Sequence, residues 1–182
     1  MSPGNRIRLL EQDQVTPEIA AVYDALLATR GVVPNMFKVL AHAPAIAPAV
    51  AGFLKPLLSD GALDGWYKEL IAVRVSQRNA CEYAIRAHGI SARQKGATEE
   101  QIASVTDFEN GSYSPKEKIG FRLADKLHLG ASAVDDSFFT ELSTVFSEPE
   151  VVELFLTAAA FEMFPRFIDG LRIPVTPPPA AK

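Results

Sequence analysis

The sequence predicts an all-α fold of eight or nine helices, and three observations carry the prediction. Apolar residues recur at intervals of three and four, the spacing of one helix face. Capping residues, prolines and glycines stand where helices begin and end. No alternating apolar–polar stretch is long enough for a strand, and the Asn110-Gly111 pair lies between helical segments rather than strands.

Thr16, Pro17 and Glu18 open the first helix as N-cap, first-position proline and first-turn acid, and Gly31 closes it. Its face is Ile19, Val22, Tyr23, Leu26 and Leu27. Pro34 and Asn35 open a short helix through Met36, Phe37, Val39 and Leu40. A third is expected to begin at Pro44 and close at Gly61, with Pro48 tolerated in its first turn and Pro56 kinking its last. Asp64 caps a helix from Gly65 to about Gln77, and Asn79 is expected to cap the next, from Ala80 to about Lys95, with Gly96 as its stop. Asn79 and Glu82 there have capping-box spacing. Three better boxes are Thr98 with Gln101, Ser114 with Glu117 and Ser147 with Glu150, starting helices near 99, 115 and 148. Asp135 or Asp136 caps another, and Pro165 should kink the last.

A chain of 182 residues with ordinary apolar and charged content suits one globular domain, placed at 1–173. The proline-rich stretch 174–182 is expected to be extended or disordered. A net charge of −4 with scattered basic residues excludes the footprint of a nucleic-acid binder or a polybasic membrane anchor. Apolar stretches are too short to span a bilayer, and residues 1–14 lack the apolar core of a secretory signal. The lone Cys81 cannot form an intrachain disulfide, which suits a reducing, cytoplasmic setting. No HExxH, paired CxxC, acidic calcium loop, GxGxxG or phosphate loop occurs, so neither metal nor cofactor is expected.

The informative window is Tyr67–Gly89, two helices joined by a tight turn near Arg78. Cys81, Ala84 and His88 share one helix face at i, i+3 and i+7. Glu69, twelve positions before Cys81, can be brought against that face by a short helical hairpin. Cys81 in a first turn would have a lowered thiol pKa, opposed by Glu82, or it is a small buried hydrophobe. His88 is either a core histidine satisfied by a carboxylate or a general acid/base tuned by one. Glu69 is either a surface acid paired with Lys68 or Arg74, or a partly buried one with a raised pKa. About 10.5 Å of helix rise separates Cys81 from His88, and His88 faces only Ala84 one turn back, so the two do not form a nucleophile–base pair. His42 and His128 read as isolated cap or surface residues. Arg74, Arg78 and Arg166 are candidates to hold a substrate carboxylate, with helix-surface ion pairing as the plainer alternative for Arg166.

The pattern Glu69, Cys81, Ala84, His88, Gly89, Gly96 resembles the carboxymuconolactone decarboxylase and alkylhydroperoxidase D-like family. The resemblance extends upstream through PNMFKVLAHAP and downstream through TEEQIASV to Arg166-Phe167, covering roughly residues 30–172. It implies an all-α subunit assembling into homo-oligomers, often trimers or hexamers. In the peroxidase-like branch of the family one cysteine attacks the peroxide, the other closes a disulfide, and glutamate and histidine relay protons. The decarboxylase branch relies on acid–base groups acting on a small carboxylated lactone. Ala84 stands where the family has the cysteine beside the histidine, so an intrachain dithiol cycle cannot run.

Three readings follow. The first is an acid–base enzyme acting on a small organic substrate through Glu69 and His88, with Cys81 as a polar wall or auxiliary. The second is a one-cysteine thiol peroxidase whose Cys81 sulfenate is resolved by an external thiol or another subunit. The third is a non-catalytic ligand-binding or interaction protein on the same scaffold.

Overall fold

The computed structural model describes residues 4–178. Those residues form nine α-helices and three short 3-10 turns, with no strand among them. The helices are α1 (Pro17–Arg30), α2 (Asn35–Leu40), α3 (Ala47–Leu58), α4 (Gly65–Arg78), α5 (Glu82–Gln94), α6 (Glu99–Ser104), α7 (Pro115–Leu129), α8 (Asp136–Val145) and α9 (Glu148–Gly170). The chain gathers into two compact units. One unit holds, of the described residues, 4–55 and 167–178, and the other is Pro56–Arg166.

In the first unit α1 turns Ile19 and Tyr23 inward, and the Tyr23 hydroxyl donates to the Leu10 carbonyl at 3.0 Å. Gly31 ends α1 in the left-handed region at φ 70°, where a side chain would be strained. Residues 174–178 carry no regular secondary structure and are tied to Asn35, whose Nδ2 donates to the Pro174 carbonyl at 3.1 Å and whose backbone N–H donates to Thr176 Oγ1 at 3.0 Å. Residues 179–182 of the expected tail lie outside the described residues.

In the second unit α4 is buried almost all round, from Tyr67 through Val73 and again at Val75 and Ser76. A helix buried on every side is the centre of its core. Phe121 and Leu123 of α7, Leu142 of α8, and Leu154 and Phe161 of α9 are also fully or nearly fully buried in this unit. This centre also carries two charged residues, Lys68 and Glu69, and buried charges must find partners. Lys68 reaches Glu153 of α9 at 2.8 Å, and that carboxylate also accepts the backbone N–H groups of Ala62 and Leu63.

The capping boxes at Thr98 and Ser114 form in full, and Asp135 caps α8 by accepting from the Phe138 N–H at 2.8 Å. At Ser147 half a box forms: Glu150 accepts from both the backbone N–H and the hydroxyl of Ser147. Three expectations are corrected. First, α3 starts at Ala47 rather than Pro44, because residues 44–46 are spent in turns. Second, α3 ends at Leu58 rather than at Gly61, and Pro56 and Pro165 lie inside α3 and α9, which continue past them. Third, α5 is capped by Cys81, not Asn79, and the proposed Asn79–Glu82 box is not how this helix begins.

The third correction has a clear cause. Asn79 is the C-cap of α4, and the next two residues close a Schellman motif. The Ala80 N–H donates to the Gln77 carbonyl and the Cys81 N–H to the Ser76 carbonyl, both at 3.0 Å. Ala80 therefore occupies the left-handed position, at φ 54°, that glycine normally fills. The left-handed conformation costs alanine about 1–2 kcal/mol, and glycine's looser unfolded state takes back about 0.4–1 kcal/mol. Since Ala80 is exposed, Ala80→Gly should stabilise the protein by about 0.5–1 kcal/mol, the remainder of those two effects. Urea unfolding should show a higher midpoint at unchanged slope; a lower midpoint would contradict the strain.

Candidate functional site

The α4–α5 hairpin places Glu69, in the second turn of α4, opposite His88, two turns into α5. Glu69 Oε2 accepts from His88 Nδ1 at 2.6 Å. Glu69 Oε1 accepts from Lys95 Nζ at 2.5 Å, and the same ammonium donates to the Leu58 carbonyl at 2.6 Å. Each oxygen of one carboxylate is thus engaged by a different partner. The carboxylate is 0 % exposed, the His88 side chain 11 % and the Lys95 side chain 32 %. Phe161 of α9 meets the imidazole edge-on, with ring centroids 4.3 Å apart. Gly65 opens α4 beneath the Lys95 stem. A Cβ there would come within 2.9 Å of the Leu58 carbonyl and 3.3 Å of Lys95 Cδ, so glycine leaves the lysine its path to Glu69.

Burial alone would push the Glu69 carboxyl upward. The hydrogen bond and charge of His88, together with the Lys95 ammonium, outweigh it and hold the group below its ordinary value. The raised pKa expected from burial is thereby corrected, and the surface pairing with Lys68 or Arg74 does not form. Glu69 is a buried carboxylate kept ionised by two donors. With Nδ1 donating to Glu69, a neutral His88 ring carries its lone pair on Nε2. That is the arrangement of a general base with an orienting carboxylate.

Cys81 lies on the same α5 face at its other end, 0 % exposed, with its carbonyl accepting from the Ile85 N–H. Ala84 separates it from His88 and is itself buried. The three candidate arginines are directed to other carboxylates. Arg74 grips Asp125 with two N–H groups, at 2.7 and 2.8 Å, and Arg78 approaches the same residue at 3.7 Å. Arg166 pairs with Glu162 at 2.7 Å. His128 is not isolated, since its Nδ1 lies 2.8 Å from Glu162 Oε1. His42 hydrogen-bonds the Arg8 carbonyl.

Lys95 is the site residue that the sequence reading passed over. A signal for it was present: it follows His88 by seven positions, as His88 follows Cys81, so all three fall on one helix face. A cavity of about 830 Å³ elsewhere in this unit is lined by Arg74, Phe108, Arg122, Asp125 and Phe138 among others, and includes none of Glu69, His88 and Lys95. Among the described residues no group of three or more His, Cys, Asp or Glu side chains is placed to hold a metal ion. No described helix is long and apolar enough to cross a membrane.

Residues 44–118, which contain the whole hairpin, match the model of the Carboxymuconolactone decarboxylase family. The chain is 35% identical over 91 residues to the uncharacterized protein YdfG of Bacillus subtilis, covering 49% of this chain and 62% of that protein. It is 44% identical over 57 residues to uncharacterized protein 4 in the cox locus of Paracoccus denitrificans, covering 31% and 51%. The matched stretches thus span between half and two thirds of these relatives' lengths. Among solved structures, the fold is similar to an alkylhydroperoxidase AhpD core, an uncharacterized peroxidase-related protein from Ralstonia eutropha. The TM-score is 0.87 at 22% identity, over 97% of this chain and 94% of that one. It is also similar to a cysteine-to-alanine variant of the debrominase Bmp8 in complex with 2,3,4-tribromopyrrole, with a TM-score of 0.86 at 18% identity over 98% and 96% of the two chains.

Proposed function

We propose that this chain, whose residues 44–118 match the Carboxymuconolactone decarboxylase family model and whose fold is similar to an alkylhydroperoxidase AhpD core, is an enzyme of that family performing acid–base chemistry on a small organic substrate. The observation that carries this reading is the 2.6 Å contact between a fully buried Glu69 and His88 Nδ1. The carboxylate fixes the ring and stabilises the imidazolium that forms when Nε2 takes a proton. On a carboxylated lactone the cycle balances simply. The substrate carboxylate leaves as carbon dioxide, and the electron pair of the broken bond stays on the adjacent carbon. The imidazolium protonates that carbon, and His88 regains its proton from water. That Bmp8 is seen with 2,3,4-tribromopyrrole supports a substrate of similar size.

Complete burial of Cys81 weighs against the thiol-peroxidase reading, because a thiolate must meet its peroxide to react. The experiment is a turnover screen of small carboxylated lactones with the wild type and Cys81→Ser, beside sulfenate trapping after one equivalent of hydrogen peroxide. Cys81→Ser should keep most of the lactone turnover, and no sulfenate should be trapped. Loss of turnover in Cys81→Ser together with a trapped sulfenate would replace the acid–base reading by a one-cysteine peroxidase.

A further inference from the structure

We propose that Lys95 is the anion anchor of the Glu69–His88 site, which makes it selective for small organic carboxylates; this deepens the acid–base reading and rests on it. An ammonium has three N–H donors. Glu69 Oε1 and the Leu58 carbonyl take two of them, at 2.5 and 2.6 Å, which leaves the third without a partner among the described residues. The side chain is 32 % exposed, whereas the carboxylate beneath it is sealed. Lys95 and His88 grip the two oxygens of the same carboxylate, so an anion on the ammonium lies beside the imidazole within the span of one small molecule.

Charge points the same way. The Glu69 carboxylate and the Lys95 ammonium cancel, and a proton on His88 leaves the cluster with one net positive charge. A bound anion is then favoured in the state in which His88 holds the proton it will deliver. Arg74 and Arg78 face Asp125 and Arg166 faces Glu162, so none of the three is directed to this cluster. Lys95 thus has two roles on one atom: it keeps Glu69 ionised, and it offers its remaining donor to substrate.

The test uses acetate as the probe and neutral acetamide as the control, followed through the His88 ring resonances by NMR at fixed pH. Acetate should move those resonances saturably and acetamide should not. Lys95→Met should weaken the acetate response by about tenfold or more, the loss of one charge-assisted hydrogen bond, and Lys95→Arg should keep most of it. Lys95→Met leaves Glu69 buried without its counter-charge and risks misfolding. The double variant Glu69→Gln/Lys95→Met removes both charges together and should also lose the response. An absent acetate response in the wild type, or one that persists in the double variant, overturns the anchor. Lactone turnover without an acetate response would overturn the anchor alone. An acetate response in a protein whose turnover survives His88→Ala would sink the acid–base reading alone.

Discussion

His88→Ala is expected to lower turnover by about 10²–10⁴-fold, the usual contribution of a positioned general acid or base. Nε2 is the only ring atom left for substrate once Nδ1 is committed to Glu69. Among the described residues the alternatives are distant or engaged: Cys81 is a long helix segment away, His128 pairs with Glu162, and the buried Glu69 carboxylate is held by His88 and Lys95. Because alanine also loses the edge contact with Phe161, His88→Gln is the sharper companion. Glutamine can still donate to Glu69 and fill part of the space, yet it cannot carry a proton at neutral pH. Both variants should melt cooperatively and both should be slow. Turnover within a few-fold of wild type in His88→Gln would show that the imidazole does not move the proton.

Glu69→Ala is expected to cost about 3–5 kcal/mol of unfolding free energy, the range seen when one partner of a buried ion pair is removed. The loss is large because Lys95 and His88 would both be left facing an emptied, desolvated site. Glu69→Gln should be milder, since it keeps the volume and one acceptor. The pH dependence separates charge from shape. Burial alone would raise this carboxyl, but His88 and Lys95 together bring it below the ordinary value of 4.5. A carboxyl whose folded pKa is depressed contributes stability that is complete above the unfolded pKa and is lost as pH falls through the lower folded value. The wild type should therefore lose stability progressively below about pH 4.5, and Glu69→Gln should lose less over the same window. Urea unfolding across that range decides it; parallel curves for the two proteins would mean that Glu69 is not held ionised.

Much of the fold was legible because its boundaries are written in local chemistry. Thr98, Ser114 and Asp135 start helices for reasons contained within four residues, and each does so here. The Glu69–His88 contact was legible for a similar reason, since a helical hairpin with a tight turn leaves two facing positions little choice. The start of α5 was not, because Asn79 is a good N-cap by type while the deciding feature is a left-handed Ala80 that composition does not advertise. The partners of the arginines were hidden for another reason. Arg74 meets Asp125 across 51 positions of sequence, and no periodicity spans that distance. Lys95 lay between these cases, on the right face by spacing but just past the helix end, where the backbone no longer guarantees direction.

The proposed acid–base centre is also local in the chain. His88 stands 19 positions from Glu69 and Lys95 stands 26, all within the stretch from Leu58 to Lys95. Closing so short a loop carries a small entropic penalty, and segments rich in near-neighbour contacts form early in folding. The pair is thus expected to be assembled before distant Phe161 arrives to cover it. A genetic crossover on either side of this stretch would carry glutamate, histidine and lysine together. The hairpin is in that sense a heritable cassette, able to change its surrounding helices without dismantling the proposed proton chemistry.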